Sequence, residues 1–261
     1  MRASGLIAAI FGAAMLAAAS PATAQQQRDP FNGQFGALEI APQPAAAARL
    51  ARLMGDTLEG LQPQRPGVQD VYLLSVSFWG DPVFEREAVQ AEEILRQHLS
   101  AEGRSIILSA GGLGPRTYAA ATPDNFAAAI GQIGATMDPN EDLFVLFFTT
   151  HGQPDGVAAI REHNRVFGGL RPAHLSALLS QANIRNRVVI VSACFSGAFI
   201  GPLMTDNTVI MTAAAPDRSS FGCQPQNNWT FFGDAYFNRS VREHGDMIGS
   251  FDRAKRLITQ W

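Results

Sequence analysis

The chain has 261 residues, a formal net charge of -3 and 46% hydrophobic residues. A nearly neutral chain lacks a basic surface for nucleic acid and a polybasic patch for membranes, which argues against both kinds of partner. The hydrophobic fraction is sufficient for one sizeable core, and about 200 residues beyond the N-terminal segments predict a single folded domain.

The N-terminus is typical of a secretory signal peptide. Arg2 supplies a charged start, residues 5–19 form an apolar stretch, and Ala22-Thr23-Ala24 fits the small-x-small cleavage rule. We therefore expect residues 1–24 to be a signal peptide and the mature protein to be exported, either periplasmic or secreted. An uncleaved membrane anchor is the alternative, although the apolar stretch is short for a span of ~20 residues.

Residues 25–68 are interpreted as a leader that precedes a core domain at residues 69–261. The Gln- and Pro-rich part, residues 25–44, predicts disorder. Residues 45–61 carry leucines at helical spacing, which predicts a short amphipathic helix. Composition leaves open whether this leader inhibits the domain as a prosegment or mediates self-interaction.

From residue 71 onward, strand patterns alternate with helix patterns. Apolar runs rich in β-branched and aromatic residues predict strands covered on both faces, and apolar residues every three or four positions predict helices. The predicted strands are 71–79, 104–109, 143–150, 187–193 and 208–213, the helices are 84–101, 123–137, 171–183 and 252–261, and a hairpin is expected at 157–166. This alternation predicts an α/β fold, with a mainly parallel sheet and helices on both faces.

Two of these strands end in residues suited to nucleophilic catalysis. One is followed by His151 and Gly152, and another by Cys194. The carboxyl ends of parallel strands meet at one edge of a sheet, where functional groups gather. A thiolate is a strong nucleophile, an imidazole exchanges protons near neutral pH, and glycine leaves its N–H open to an oxyanion. The pattern predicts Cys194 as nucleophile, His151 as base and acid, and Gly152 as oxyanion donor.

Each residue also has a plainer interpretation. A single His at a strand end can be an ordinary surface residue, and a Cys in a strand can be part of the core. Cys194 and Cys223 are the only cysteines, so a disulfide between them is the alternative in an oxidising compartment. No His pairs with a Cys at zinc spacing, and the glycine-rich loop at 111–115 lacks a phosphate-binding motif. The sequence therefore predicts no metal and no cofactor.

The two strand ends resemble the His-Gly and Ala-Cys motifs of the caspase-like cysteine peptidases. Within that clan the chain is most similar to the legumain family, the asparaginyl endopeptidases and their relative, the catalytic subunit of the glycosylphosphatidylinositol transamidase. The resemblance covers residues 71–261 and includes the segments 212–223 and 230–234. It implies a caspase-like three-layer sandwich and a bacterial branch of the family. It also implies protein or peptide substrates, with His151 and Cys194 as the dyad.

The resemblance is looser in the substrate pocket. It implies Asp234 as a residue lining S1, although a solvated turn residue is the alternative. Ser192 stands where animal and plant legumains carry a Glu that helps form S1, and the family's Asn-Tyr-Arg-His segment is absent. Arg86 is the candidate to replace the substrate-binding Arg of that segment, and Asp81 is the candidate to orient His151. These departures place asparaginyl specificity in doubt.

The leading hypothesis is an exported cysteine endopeptidase that acts through a thioacyl intermediate. A transpeptidase or ligase would use the same dyad and the same intermediate, and would pass the acyl group to an amine instead of water. A non-catalytic binding module of caspase-like fold would use neither. The sequence leaves the P1 specificity and the natural substrate open.

Overall fold

The computed structural model of the protein describes residues 44–111, 116–162 and 165–261. The predicted signal peptide and the predicted disordered start of the leader, up to residue 43, lie outside the described residues, as does most of the glycine-rich loop, at 112–115. Pro44 to Trp261 form one compact unit. Within the described ranges, no helix combines the length and the apolar character needed to cross a membrane.

The described ranges contain eight strands, and six of them form one parallel sheet. Their bounds are β1 Val71–Ser77, β2 Ser105–Ser109, β3 Ala119–Ala120, β4 Leu143–Thr149, β5 Ala158–Glu162, β6 Arg165–Leu170, β7 Arg187–Ser192 and β8 Thr208–Thr212. The sheet has the order β3-β2-β1-β4-β7-β8, and β5 and β6 form a separate antiparallel hairpin. The five predicted long strands and the hairpin are confirmed. Strand β3 was not predicted, because two residues carry no readable pattern.

Helices connect the strands and close the chain. Their bounds are α1 Pro44–Glu59, α2 Pro82–Leu99, α3 Pro123–Thr136, α4 Pro172–Gln181, α5 Ile200–Leu203, α6 Phe231–Gly233, α7 Arg242–His244 and α8 Met247–Gln260. A 3-10 turn at Ser196–Phe199 precedes α5, and a π-helical segment at Asp234–Val241 joins α6 to α7. This joined stretch was not predicted, because a π-helix departs from the 3.6-residue period on which the prediction depends.

Side chains of alternate strand residues pack on opposite faces of the sheet, because successive residues of a strand point in opposite directions. Helices α1, α3 and α4 cover one face, and Leu74, Leu146 and Phe126 are among the residues buried there. Helix α2, the π-helical segment and α8 cover the other face, where Leu73 and Phe147 lie in the core. Helices on both faces of a mainly parallel sheet confirm the predicted three-layer α/β sandwich.

The part of the leader that the structure describes packs against this sandwich. Met54 of α1 is buried in the same core cluster as Tyr72 of β1. The hydroxyl of Tyr72 donates to the carbonyl of Gln62 (3.1 Å), and Arg65 pairs with the buried carboxylate of Asp70 (2.6 Å). The segment that follows α1 is therefore tied to the first strand by specific polar contacts.

Candidate active site

Strands β4 and β7 bring the two predicted catalytic residues to the same edge of the sheet. They are parallel neighbours whose register pairs Thr149 with Ser192. The N–H of Thr150 then donates to the carbonyl of Ser192 (3.1 Å), which extends the pairing by one step. His151 and Cys194 each follow this register by two residues. Neighbouring strand ends therefore carry the imidazole and the thiol.

The imidazole of His151 is held by residues that follow β1. Its Nε2 lies 3.5 Å from Oδ2 of Asp81, and both side chains are 38% exposed. Trp79 and Phe84 contact the ring edge-on, each with a centroid distance of 5.0 Å. Because β1 is the other neighbour of β4, these groups reach the ring from the opposite side to Cys194. Asp81 thus lies where a residue that orients the imidazole is needed.

The thiol of Cys194 is half-buried in a sharp turn. The backbone N–H of Ser220, in the loop after β8, lies 3.3 Å from its Sγ and donates to it. The sulfur also lies 3.6 Å from the carbonyl oxygen of Ser220, so both backbone groups of this residue hold the side chain of Cys194 in place. The next residue, Phe195, has φ 57° and ψ 17°, a left-handed conformation that is uncommon outside glycine and is often kept at functional sites.

Cys194 and Cys223 are free thiols, so the structure does not contain the disulfide that was the alternative to a reactive Cys194. Cys223 is also half-buried, in the loop that carries Ser220. Burial raises the pKa of its thiol, and the nearby charge of Cys194 raises it further. Cys223 is therefore a weak nucleophile at neutral pH.

Gly152 lies directly against the backbone of Cys194. A Cβ at this position would be 1.9 Å from the carbonyl oxygen of Cys194 and 3.2 Å from its nitrogen. No side chain fits there, because real Cβ atoms do not approach a heavy atom within 3.0 Å. The absence of a side chain is therefore required for the two strand ends to meet.

We expect Gly152→Ala to separate these strand ends. It should reduce any cleavage activity by about 100-fold, because displacements of the order of 1 Å have that effect on reacting groups, and destabilise the fold by about 1–3 kcal/mol through overpacking. Gly131→Ala, in α3, is the matched control, since a Cβ there meets nothing within 4 Å. Urea unfolding and a peptide-cleavage assay measure both effects, and full activity of Gly152→Ala would contradict the close contact.

Glu87, on α2, is a residue that sequence reasoning missed. Its side chain is fully buried beneath the strand ends. Its carboxylate accepts hydrogen bonds from the hydroxyls of Thr149, Ser192 (3.4 Å) and Thr230 (2.6 Å). Burial raises the pKa of Glu87 to about 7, although the three hydroxyls act in the opposite direction. A signal was present in the sequence: Glu87 interrupts the apolar stripe of α2, next to Ala88.

The three residues predicted to bind substrate have different surroundings. Ser192 is almost completely buried and bonded to Glu87, so it lies beneath the catalytic edge. The guanidinium of Arg86 donates to the carbonyls of Pro225 and Asn227 and thereby anchors the loop after β8. The roles of these two residues in substrate binding stay predictions.

Asp234 is engaged within its own helical stretch. Its carboxylate accepts from Asn238 (2.7 Å) and from Arg239 (2.7 Å), whose guanidinium in turn lies over the ring of Trp261. The structure brings His151 and Cys194 together, with Gly152 between their strand ends, but it shows no contact of Asp234 with them. Its assignment to S1 likewise stays a prediction. In the described part of the chain, no group of three His, Cys, Asp or Glu side chains is arranged to hold a metal ion.

Comparisons with known proteins place the chain in a family. The model of the peptidase C13 family matches residues 92–261, which is well over half of the chain and includes both strand ends. A search of curated protein sequences found no match. Solved structures that match include caspase-1 from Spodoptera frugiperda, at 11% sequence identity and a TM-score of 0.45, over 70% of this chain and 78% of that one. The chain belongs to the peptidase C13 family, the legumain family.

Proposed function

We propose that the protein is an exported cysteine endopeptidase with Cys194 and His151 as its dyad. The observation that carries the proposal is the parallel register of β4 and β7, which ends the strand before His151 and the strand before Cys194 at the same edge of the sheet. Membership of a peptidase family supports the reaction class, and protein or peptide substrates follow from it. The sequence of residues 1–24 supports export.

In the proposed reaction, the proton of Cys194 passes to the imidazole and the thiolate attacks the carbonyl carbon of the scissile bond. Asp81 beside Nε2 stabilises the imidazolium that forms and leaves Nδ1 as the nitrogen that exchanges the proton. The oxyanion of the tetrahedral intermediate accepts from the N–H groups of Gly152 and Cys194, each worth about 3 kcal/mol in comparable sites.

The intermediate then collapses, and the leaving amine takes the proton from His151. This leaves a thioester between Cys194 and the acyl half of the substrate. His151 then accepts a proton from a water molecule as the water attacks the thioester. The C–S bond breaks, the proton passes from His151 to the sulfur, and the acid product is released. Attack by an amine instead of water would give transpeptidation from the same thioester.

A peptide library tests the proposal directly. Mature protein is incubated with a pool of internally quenched peptides that carry every residue at each position, and the products are identified by mass spectrometry. We expect cleavage after a restricted set of P1 residues, and the same pool with an added amine shows whether any acyl group is transferred. Absence of cleavage above the level of Cys194→Ala would overturn the proposal.

A further inference from the structure

One carboxylate connects the segments that carry the catalytic groups. Glu87 accepts hydrogen bonds from Thr149 at the end of β4 and from Ser192 at the end of β7. Each of these hydroxyl residues precedes the catalytic residue of its strand by two positions. Glu87 itself belongs to α2, the helix that begins directly after Asp81. The carboxylate therefore spans both strand ends and the helix whose start orients the imidazole.

The third partner of Glu87 belongs to the loop that contacts the nucleophile. Thr230 donates to Oε1 of Glu87 (2.6 Å) and accepts from the N–H of Gly233 (3.1 Å). Its neighbour Phe231 donates its N–H to the carbonyl of Phe221 (3.2 Å), the residue after Ser220. The N–H of Ser220, which donates to Cys194, is thus connected to Glu87 through the hydrogen bond from Phe231 to Phe221 and the hydrogen bond from Thr230 to the carboxylate.

The site around this carboxylate is tightly packed. A Cβ on Gly233 would lie 2.0 Å from Oε1 of Glu87 and 2.9 Å from the ring of Trp229. Hydrogen bonds in so closed a site are stronger than hydrogen bonds in water, and a buried polar group that lacks its partner destabilises the fold correspondingly more. The hydroxyls of Thr149 and Thr230 are therefore strong restraints on the segments that carry them. The hydroxyl of Ser192, 3.4 Å from Glu87 and 3.3 Å from the hydroxyl of Thr230, is a weaker one.

The arrangement is complete only when the carboxyl group is ionised. A carboxylate has acceptor sites alone, so all three hydroxyls donate to it at once. A protonated carboxyl must itself donate to a neighbour, so one of the hydroxyls has to turn and accept. Because burial raises the pKa of Glu87 to about 7, the two forms exchange near neutral pH.

We propose that Glu87 is a positioning residue of this active site: its ionised carboxylate holds both strand ends and the loop after β8 in the catalytic arrangement, and turnover depends on that form. The inference rests on the proposed peptidase function and adds a residue and a pH-dependent control to it.

Other ionisable groups surround Glu87 on the elements packed about it, and they fall into two sets. Those near the catalytic edge are His151 after β4, Cys194 after β7, Asp81 before α2, and Cys223 in the loop. The others are engaged elsewhere: Arg86 with loop carbonyls, Glu85 with Ser109, and Asp234 with Arg239. A test must therefore separate Glu87 from the dyad, whose own ionisation also affects turnover.

The ratio of wild-type turnover to Glu87→Gln turnover achieves this separation, because the dyad is common to both proteins and glutamine does not titrate. At about pH 5.5 Glu87 is protonated and neutral like glutamine, so we expect similar kcat values; at about pH 8 we expect wild type to be about tenfold faster or more, with little change in KM. The substrate is a quenched peptide from the library.

Glu92→Gln is the matched control on the same helix. Glu92 is also buried, but it pairs with Arg96 (3.1 Å) and accepts from Ser105 at the start of β2, away from the catalytic edge. We expect its turnover ratio to wild type to stay constant with pH. A merely structural role for Glu87 would likewise give a constant ratio.

A second pair of variants covers the case in which Glu87→Gln does not fold. Thr149→Val removes one hydroxyl and keeps the shape of the side chain, whereas Thr149→Ser keeps the hydroxyl. We expect kcat to fall in the first and to recover in the second. A ratio for Glu87→Gln that is flat or decreases with pH, or equal kcat values for the two Thr149 variants, overturns the inference. Cleavage by wild type in that case leaves the proposed function intact, whereas absence of wild-type cleavage overturns both.

Discussion

Cys194→Ala should reduce peptide cleavage by at least about 10³-fold, because removal of a nucleophile that acts together with its base eliminates the covalent route. The thiol lies at the end of β7, next to the strand end that carries His151, and it accepts a hydrogen bond from Ser220. The loss should therefore appear in kcat, while binding of peptide to the folded variant persists.

Cys223→Ala is the matched control for this result. Both thiols are half-buried and free, but burial raises the pKa of Cys223. We expect this variant to keep cleavage within about threefold of wild type, as is usual for a substitution outside the reacting groups. Iodoacetamide at neutral pH should alkylate Cys194 before Cys223, and activity should fall in proportion to the fraction of Cys194 that is alkylated. Activity that survives in Cys194→Ala, or is lost only in Cys223→Ala, would assign the chemistry to another group.

The contribution of Glu87 to the stability of the fold should fall as pH rises from about 4.5 to about 7, because Glu87 is more easily protonated in the folded chain than in the unfolded one. Its pKa is raised from 4.5 to about 7 by burial. Between these values the folded state holds a proton that the unfolded state has released, so the free energy of unfolding decreases with increasing pH. The full effect is about 3 kcal/mol, since each pKa unit corresponds to about 1.4 kcal/mol.

Urea unfolding of wild type and Glu87→Gln at a series of pH values measures this contribution. Relative to Glu87→Gln, the free energy of unfolding of wild type should decrease by about 3 kcal/mol between roughly pH 4.5 and pH 8. Glu92→Gln is the control for a substitution on the same helix, because Glu92 contacts Arg96 and Ser105, away from the strand ends. A difference between wild type and Glu87→Gln that is independent of pH would show that Glu87 does not titrate in this range.

Local patterns accounted for much of the architecture. Long apolar runs predicted β1, β4 and β7 to within a few residues, because buried parallel strands need apolar side chains on both faces. Proline suits the first turn of a helix and marks the observed starts of α2 and α3. The predicted start of α3, at residue 123, was correct, whereas α2 was predicted to begin two residues late, at residue 84. The same strands led directly to His151 and Cys194, because catalytic groups in this kind of sheet follow the carboxyl ends of strands.

Patterns along the chain did not identify Glu87 as part of the site. Its partners Thr149, Ser192 and Thr230 are separated from it by 62, 105 and 143 positions. A single buried Glu in an apolar stripe indicates only that some partner is required. The partners became evident when the strand register and the packing of α2 on the sheet were known.

The partners of Arg86 and Asp234 could not be predicted from the sequence either. A resemblance assigned both to substrate binding, but a charged side chain is engaged by whichever partners the fold brings within reach. Arg86 meets the carbonyls of a loop about 140 residues away in sequence, and Asp234 meets Arg239 one helical turn ahead. Neither pairing follows from the residue type.

By itself, the sequence determined the α/β class, the positions of the main strands along the chain, and a His-Gly and a Cys at two strand ends. These features follow from the hydrophobic pattern and from turn residues, which act over a few positions. Only the tertiary structure decided that the two ends are adjacent, that Gly152 must lack a side chain, and that Glu87 lies beneath them. Those facts depend on register and close packing between distant segments, where a shift of one residue would turn every side chain to the other face.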